Sequence, residues 1–325
     1  MDLSVPKPRM KPPALQPGDT VGIVAPASDI KPSALAAGCA TLEQFAYKPV
    51  YLDSIFDRDL YFAGSRQRRA RELEEMFVRD DVRAILCARG GYGANYLIGA
   101  LNLARIIPHC KIFVGYSDIT TLLTYFCDTL GFVTFYGPMV TKDFARQGGV
   151  DLASWQAALC GISPWEVGDE SGMEPLAEGL AEGVLYGGCL SMLVASIGTP
   201  YEIRAQGTIL FIEDVNTKPF QVDRMLMQLK AAGKLTGVRG IIFGEMLDCV
   251  QPNGLNHSLK DVVLRVVGDL GVPVAFGLRS GHVSRQNITL PLGIKASLLV
   301  TGHSAKLRIL ETATTPALAP AHSKS

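Results

Sequence analysis

The sequence predicts an α/β protein: an N-terminal doubly wound parallel sheet domain, then a smaller C-terminal α/β domain with antiparallel β elements. Three observations lead there. Short apolar runs such as 20–25 (TVGIVA), 82–88 (VRAILCA) and 208–212 (TILFI) alternate with stretches of helical periodicity, the signature of parallel strands joined by helices. From 161 to 183 that alternation stops, in a stretch with six acidic residues, no basic ones, two prolines and several glycines. After Asn287, polar and apolar residues alternate, with Gly293 and Gly302 placed as turns, which reads as antiparallel β. The chain thus divides into an N-terminal domain over 1–160, a linker over 161–183, a C-terminal domain over 184–312 and a low-complexity, disordered tail over 313–325.

Residues 20–25 form a buried strand, ended by Pro26-Ala27-Ser28, and 32–47 a helix. A second strand covers 48–52. Residues 64–80 form a helix whose inner face is Ala70, Leu73, Met76 and Phe77. Its arginines (66, 68, 69, 71) sit in part at i,i+4 spacing to acids, Arg68 to Glu72 and Arg71 to Glu75, as on a solvated helical face. The strand at 82–88 runs into Arg89-Gly90-Gly91-Tyr92-Gly93, after which a helix starts. In the second half, 188–197, 219–232 and 258–270 are helices, the second with proline in its first turn and Gly233 past its end. Residues 208–212, 240–243 and 273–276 are strands.

Composition narrows the function classes. The chain has 325 residues, 48% of them hydrophobic, enough for two cores, and a net charge of zero. That balance points to neither nucleic acid nor a membrane surface as partner. The seven cysteines lie singly, as in a reduced cytoplasmic protein. The proline-rich N-terminus lacks the apolar region of a signal peptide.

The chemistry centres on residues 111–126. The strand Ile112-Phe113-Val114 turns at Gly115-Tyr116-Ser117-Asp118 and becomes a helix with Ile119, Leu122, Leu123 and Phe126 on one face. Ser117 therefore stands where a buried strand turns into a helix. The first N–H groups of a helix have no partners within it, and with the helix dipole they suit a developing oxyanion. This is the geometry of a nucleophile elbow. Ser117 or Asp118 would equally serve as a helix cap, and the stretch lacks the second glycine of the usual elbow motif.

A serine nucleophile needs a base, and the base an orienting acid. Of the five histidines, His109 lies at the wrong end of the Ser117 strand, His257 in a polar loop, His303 in a hairpin turn and His322 in the tail. His282 comes after a strand at its C-terminal end, where α/β sheets bind ligands; an ordinary loop histidine would look the same. Glu213 and Asp214 end the 208–212 strand and serve either as the acid or as helix-start charges. The glycine turn at 89–93 fits neither common nucleotide-phosphate motif; it is a donor turn or a plain tight turn. A base must be neutral to act, so if His282 is the base, activity should fall on acidification as its imidazole becomes protonated.

At these residues the sequence resembles the LD-carboxypeptidase family of serine peptidases, which also contains the microcin C immunity peptidases. The resemblance runs from about residue 13 to 311. It rests on Pro17-Gly18-Asp19, Arg89-Gly90-Gly91-Tyr92-Gly93, Gly115-Tyr116-Ser117-Asp118-Ile119-Thr120, Glu213-Asp214-Val215, Asp223-Arg224-Met225-Leu226 and Gly281-His282. It implies Ser117 as nucleophile, Glu213 as triad acid and His282 as base, with the N–H groups of Asp118 and Gly91 as the oxyanion hole. It implies release of the terminal D-alanine from murein tetrapeptides in cell-wall recycling, with no cofactor and no metal, by a homodimer. The alternatives are hydrolysis of an acylated nucleotide antibiotic, or a non-catalytic ligand-binding role with 89–93 as an anion loop.

Overall fold

The structure, a computed structural model, describes residues 9–168, 171–250 and 257–317. The first half contributes β1 (Thr20–Val24), β2 (Lys48–Val50), β3 (Val82–Cys87), β4 (Ile112–Gly115) and β5 (Thr134–Tyr136). The second contributes β6 (Trp165–Val167), β7 (Glu174–Ala177), β8 (Gly179–Cys189), β9 (Thr208–Glu213), β10 (Gly240–Gly244), β11 (Val274–Leu278), β12 (Leu290–Leu292), β13 (Ile294–Val300) and β14 (Ala305–Ile309). They form two sheets, in the orders β12-β5-β4-β3-β1-β2 and β6-β14-β13-β8-β9-β10-β11-β7. In the first sheet only the β12–β5 pairing is antiparallel. In the second, β8 to β11 are parallel and the strands flanking them antiparallel.

Side-chain alternation along the strands fixes how the layers meet. Ile209 and Phe211 of β9, Ile242 of β10 and Ala275 of β11 join the core that also packs the first sheet. Leu210 and Ile212 of β9, Ile241 and Phe243 of β10, and Val274 and Phe276 of β11 face the other way. They pack there with Val222, Leu226 and Leu229 of the helix Pro219–Ala231, and with Val263, Val266 and Val267 of the helix Leu259–Val267. One face of the second sheet is therefore buried against the first half of the chain. β12 strengthens the link, since a C-terminal strand completes the N-terminal sheet.

Three sequence expectations change. The stretch 161–183, expected as a linker, carries β6, β7 and the start of β8, all paired with distant strands. β6 and β7 are the two edge strands of the second sheet, and residues 179–183 of β8 pair only with β13, since β9 joins from Val184, so their composition resembles a loop. The 313–325 segment begins as ordered chain. Ala313 and Thr314 are buried, and Thr315 pairs with Pro12; residues 318–325 lie outside the described residues. Finally, the helix Arg66–Val78 does not present Arg68, Arg69 and Glu72 to solvent: all three are buried. Arg68 Nη1 does donate to Glu72 Oε2 as the spacing predicts, at 2.5 Å. Arg69 donates through Nη1 to the carbonyls of Pro26 at 2.6 Å and Gly93 at 2.8 Å. A guanidinium inside the fold needs such acceptors, and here they come from two turns at the sheet's edge.

Candidate active site

β4 ends at Gly115, and a single residue, Tyr116, separates it from a one-turn helix, Ser117–Ile119. Ser117 has φ +64°, the left-handed conformation that a non-glycine residue adopts at the cost of strain. A strained serine between strand and helix is the backbone of a nucleophile elbow. The cap alternative is not what forms. Neither Ser117 nor Asp118 caps the helix beginning at Thr120, and the Asp118 carboxylate instead accepts the N–H of Ala94, at 2.7 Å.

Asp118 thereby ties the elbow to the glycine turn. A Cβ placed on Gly90 would lie 3.1 Å from Ser117 Oγ and 3.3 Å from the Asp118 backbone nitrogen, so only glycine admits this approach. Gly91 faces elsewhere: its Cβ position collides with Ser28. The Ser28 N–H donates to the Gly90 carbonyl at 3.3 Å. In a planar trans peptide the Gly91 N–H must then point away from Ser28. The Tyr92 N–H donates to Ser28 Oγ at 3.1 Å, and Arg69 holds the Gly93 carbonyl from below.

Burial raises the Asp118 carboxyl from 3.8 to about 6, against the opposing influence of the Ala94 N–H, Arg69 and the Gly93 N–H. Its folded value exceeds its unfolded one, so folding favours the protonated acid. That contribution is complete below pH 3.8 and is lost as pH rises through about 6. Relative to Asp118→Asn, which does not titrate, the parent protein should lose up to about 3 kcal/mol of unfolding free energy between roughly pH 4 and 7. Urea unfolding of both proteins at the two pH values measures it; a constant difference would contradict the assignment.

On the other side of the site, Glu213 ends β9 and is fully buried. Three donors converge on its carboxylate. The His282 backbone N–H reaches Oε2 at 3.0 Å, His282 Nδ1 lies 2.9 Å from Oε2, and the Tyr136 hydroxyl donates to Oε1 at 2.5 Å. Gly281 makes this possible: its φ is +92° and its Cβ would fall 2.6 Å from the Glu213 carboxyl carbon. Asp214 points elsewhere. It accepts the Ser191 N–H and hydroxyl, the Val215 N–H and the Thr217 hydroxyl, fixing the start of the helix Leu190–Ala195.

Tyr136 joins the two sides. Its hydroxyl accepts the Ser117 N–H at 3.3 Å while donating to Glu213, and its ring packs edge-on against Phe211 at 5.4 Å. Burial, then the Glu213 charge, pushes its phenol well above the ordinary value, so it stays a donor. Tyr116 packs edge-on against the His282 ring, centroids 5.1 Å apart. Ser117, Glu213 and His282 thus share one connected cluster. Among the described residues no hydrogen bond joins Ser117 Oγ to His282; such bonds are often loose until substrate binds. Sequence reasoning missed Tyr136. Its available signal was Thr134-Phe135-Tyr136 stopped by Gly137-Pro138, a strand ending at the same sheet edge as Ser117. His109 and His303 lie outside this cluster, and His322 outside the described residues.

The LD-carboxypeptidase N-terminal domain model matches residues 21–137, and the LD-carboxypeptidase C-terminal domain model residues 182–298. The chain is 38% identical to the probable murein peptide carboxypeptidase of Bacillus subtilis, over 89% of this chain and 91% of that one. It is 27% identical to the microcin C7 self-immunity protein MccF of Escherichia coli, over 86% and 90% of the two chains. Among solved structures, a muramoyltetrapeptide carboxypeptidase from Oxalobacter formigenes superposes with a TM-score of 0.77 at 27% identity, covering 91% of this chain and all of that one.

Proposed function

Because this chain belongs to the LD-carboxypeptidase family, we propose that it hydrolyses the L,D amide bond of murein tetrapeptides through Ser117, Glu213 and His282, releasing the terminal D-alanine. The observation that carries the reading is the buried Glu213 carboxylate, shared by His282 Nδ1 and by the tyrosine that also holds the Ser117 backbone. Glu213 fixes the Nδ1–H tautomer, leaving Nε2 as the base. His282 takes the Ser117 proton as Oγ attacks the scissile carbonyl. The N–H groups of Asp118 and Gly91 receive the oxyanion, and the imidazolium then protonates the leaving D-alanine nitrogen. Water, deprotonated by the same histidine, resolves the acyl-enzyme. The Ser117 N–H, engaged by Tyr136, is not one of the oxyanion donors.

No described helix is long and apolar enough to cross a membrane. The proposed setting is the cytoplasm, where released murein peptides are recycled, with the protein acting as a homodimer. Mass spectrometry of products from a panel of muropeptides and acyl-adenylate analogues tests the reading. Release of D-alanine from the tetrapeptide, with the tripeptide as coproduct, is the expected result. Cleavage confined to the acyl-adenylates would move the protein to the microcin-immunity branch. No cleavage, and no labelling of Ser117 by a fluorophosphonate, would leave a ligand-binding protein.

A further inference from the structure

A carboxypeptidase differs from an endopeptidase on the leaving side of the scissile bond, where its substrate has one residue ending in a carboxylate. Standard bond lengths place that carboxylate within about 4 Å of the scissile carbon. Its charge must be met close to the nucleophile, because drawing an unpaired carboxylate out of water is costly.

We propose that Arg89 supplies this charge and makes the site selective for a free C-terminus; the proposal rests on the carboxypeptidase reading above. Gly90 is the residue packed on Ser117 Oγ, and Arg89 directly precedes it. The Arg89 side chain folds back along the turn, with Nη2 3.8 Å from the position a Cβ on Gly91 would occupy. Its guanidinium therefore lies on the Ser28 side of the turn, across the peptide from the Gly91 N–H that serves as the second oxyanion donor. It is exposed, so a ligand can reach it.

Its charge is also uncommitted. Among the described residues its one hydrogen bond runs from Nη1 to the Asp29 carbonyl, at 3.1 Å. The Asp29 carboxylate, which would otherwise neutralise it, is held by Arg58 at 3.1 Å. An anchored guanidinium with donors to spare suits bidentate capture of a carboxylate. The other nearby arginines are placed differently. Arg69 is buried on carbonyl oxygens. Arg146 donates to the carbonyls of Ser284 and Arg285, bracing the loop after His282. The exposed Arg285 on that loop is the competing candidate.

The test compares the tetrapeptide with its C-terminal amide on the parent enzyme and on Arg89→Gln, Arg89→Lys and Arg285→Gln. A neutral fluorophosphonate, which carries no carboxylate, reports Ser117 reactivity in each. The parent should prefer the acid by about 10- to 100-fold in kcat/KM, the scale of a charge-assisted bidentate contact. Arg89→Gln should lose that preference through a raised KM for the acid, with the amide and the labelling rate unchanged. Arg89→Lys should retain part of the preference, and Arg285→Gln all of it. Preference surviving in Arg89→Gln, or vanishing in Arg285→Gln, would overturn the assignment. So would a labelling rate that falls in parallel, since Arg89 would then only shape the turn. A parent enzyme that releases no D-alanine from the tetrapeptide at all would remove the substrate reading itself, and the proposal with it.

Discussion

Ser117→Ala should abolish turnover while the fold survives. Deleting the nucleophile of a serine triad removes on the order of 10⁴- to 10⁶-fold in kcat, because general base and oxyanion donors have nothing left to act on. The cost to stability should be small. Ser117 is only half-buried, and among the described residues its hydroxyl makes no protein hydrogen bond, so the alanine leaves no buried group unpaired. The strained φ of +64° is as costly for alanine as for serine. Loss of fluorophosphonate labelling, an unchanged circular-dichroism spectrum and a melting temperature within a few degrees of the parent's would agree. Full turnover in the alanine protein would end the serine mechanism.

Glu213→Gln should be nearly as damaging, and Asp214→Asn far less so. Three donors converge on the Glu213 carboxylate: the Tyr136 hydroxyl, the His282 N–H and His282 Nδ1. A glutamine offers one oxygen in place of two and brings an NH₂ group. Wherever that NH₂ faces, it meets a group that was donating. If it faces His282, Nδ1 must become an acceptor and the ring proton moves to Nε2, the atom meant to take the proton from Ser117. Loss of the orienting acid costs about 10⁴ in kcat in the trypsin-like serine proteases. Asp214, by contrast, holds only Ser191, Val215 and Thr217. Its amide should cost on the order of 1–2 kcal/mol of stability through a lost helix-start contact, with little change in kcat. Tyr136→Phe keeps the ring packed on Phe211 but removes one donor from Glu213 and the acceptor for Ser117, so its effect on kcat should fall between the two. Steady-state kinetics on the three variants decides it; an Asp214 variant slower than the Glu213 one would identify the wrong carboxylate.

The connected core also bears on how the protein can be divided. Phe211 and Ile209 of the second half pack in the same cluster as β1, β3 and β4 of the first, and β12 pairs with β5. Separating the halves within 161–183 would expose that apolar face and cut through paired strands.

The sequence by itself determined the strand–helix alternation, because each such element declares itself through local periodicity and a terminating glycine, proline or cap. It also determined which residues were worth suspecting. Ser117, Glu213 and His282 each succeed or end a readable strand at its C-terminal end, where α/β sheets bind ligands, although β4 lies in one sheet and β9 and β11 in the other. The i,i+4 spacing of Arg68 and Glu72 announced their pairing as well. Only tertiary structure decided the rest, because it depends on contacts between residues far apart in the chain. Arg68 and Glu72 look like a solvated face until the turns at Pro26, Ala63 and Gly93 close over that helix end. β6, β7 and the start of β8 read as linker because strands paired on one side only, here with β14, β11 and β13, take their hydrogen bonds from distant partners rather than from their own pattern. β5 is three residues long, too short to show a period, so Tyr136 stayed hidden. Its role exists only where a strand of the first half meets Glu213, 77 residues further along the chain. That meeting is made by the apolar faces of β9, β10 and β11 packing on the first half, which no local stretch of sequence encodes.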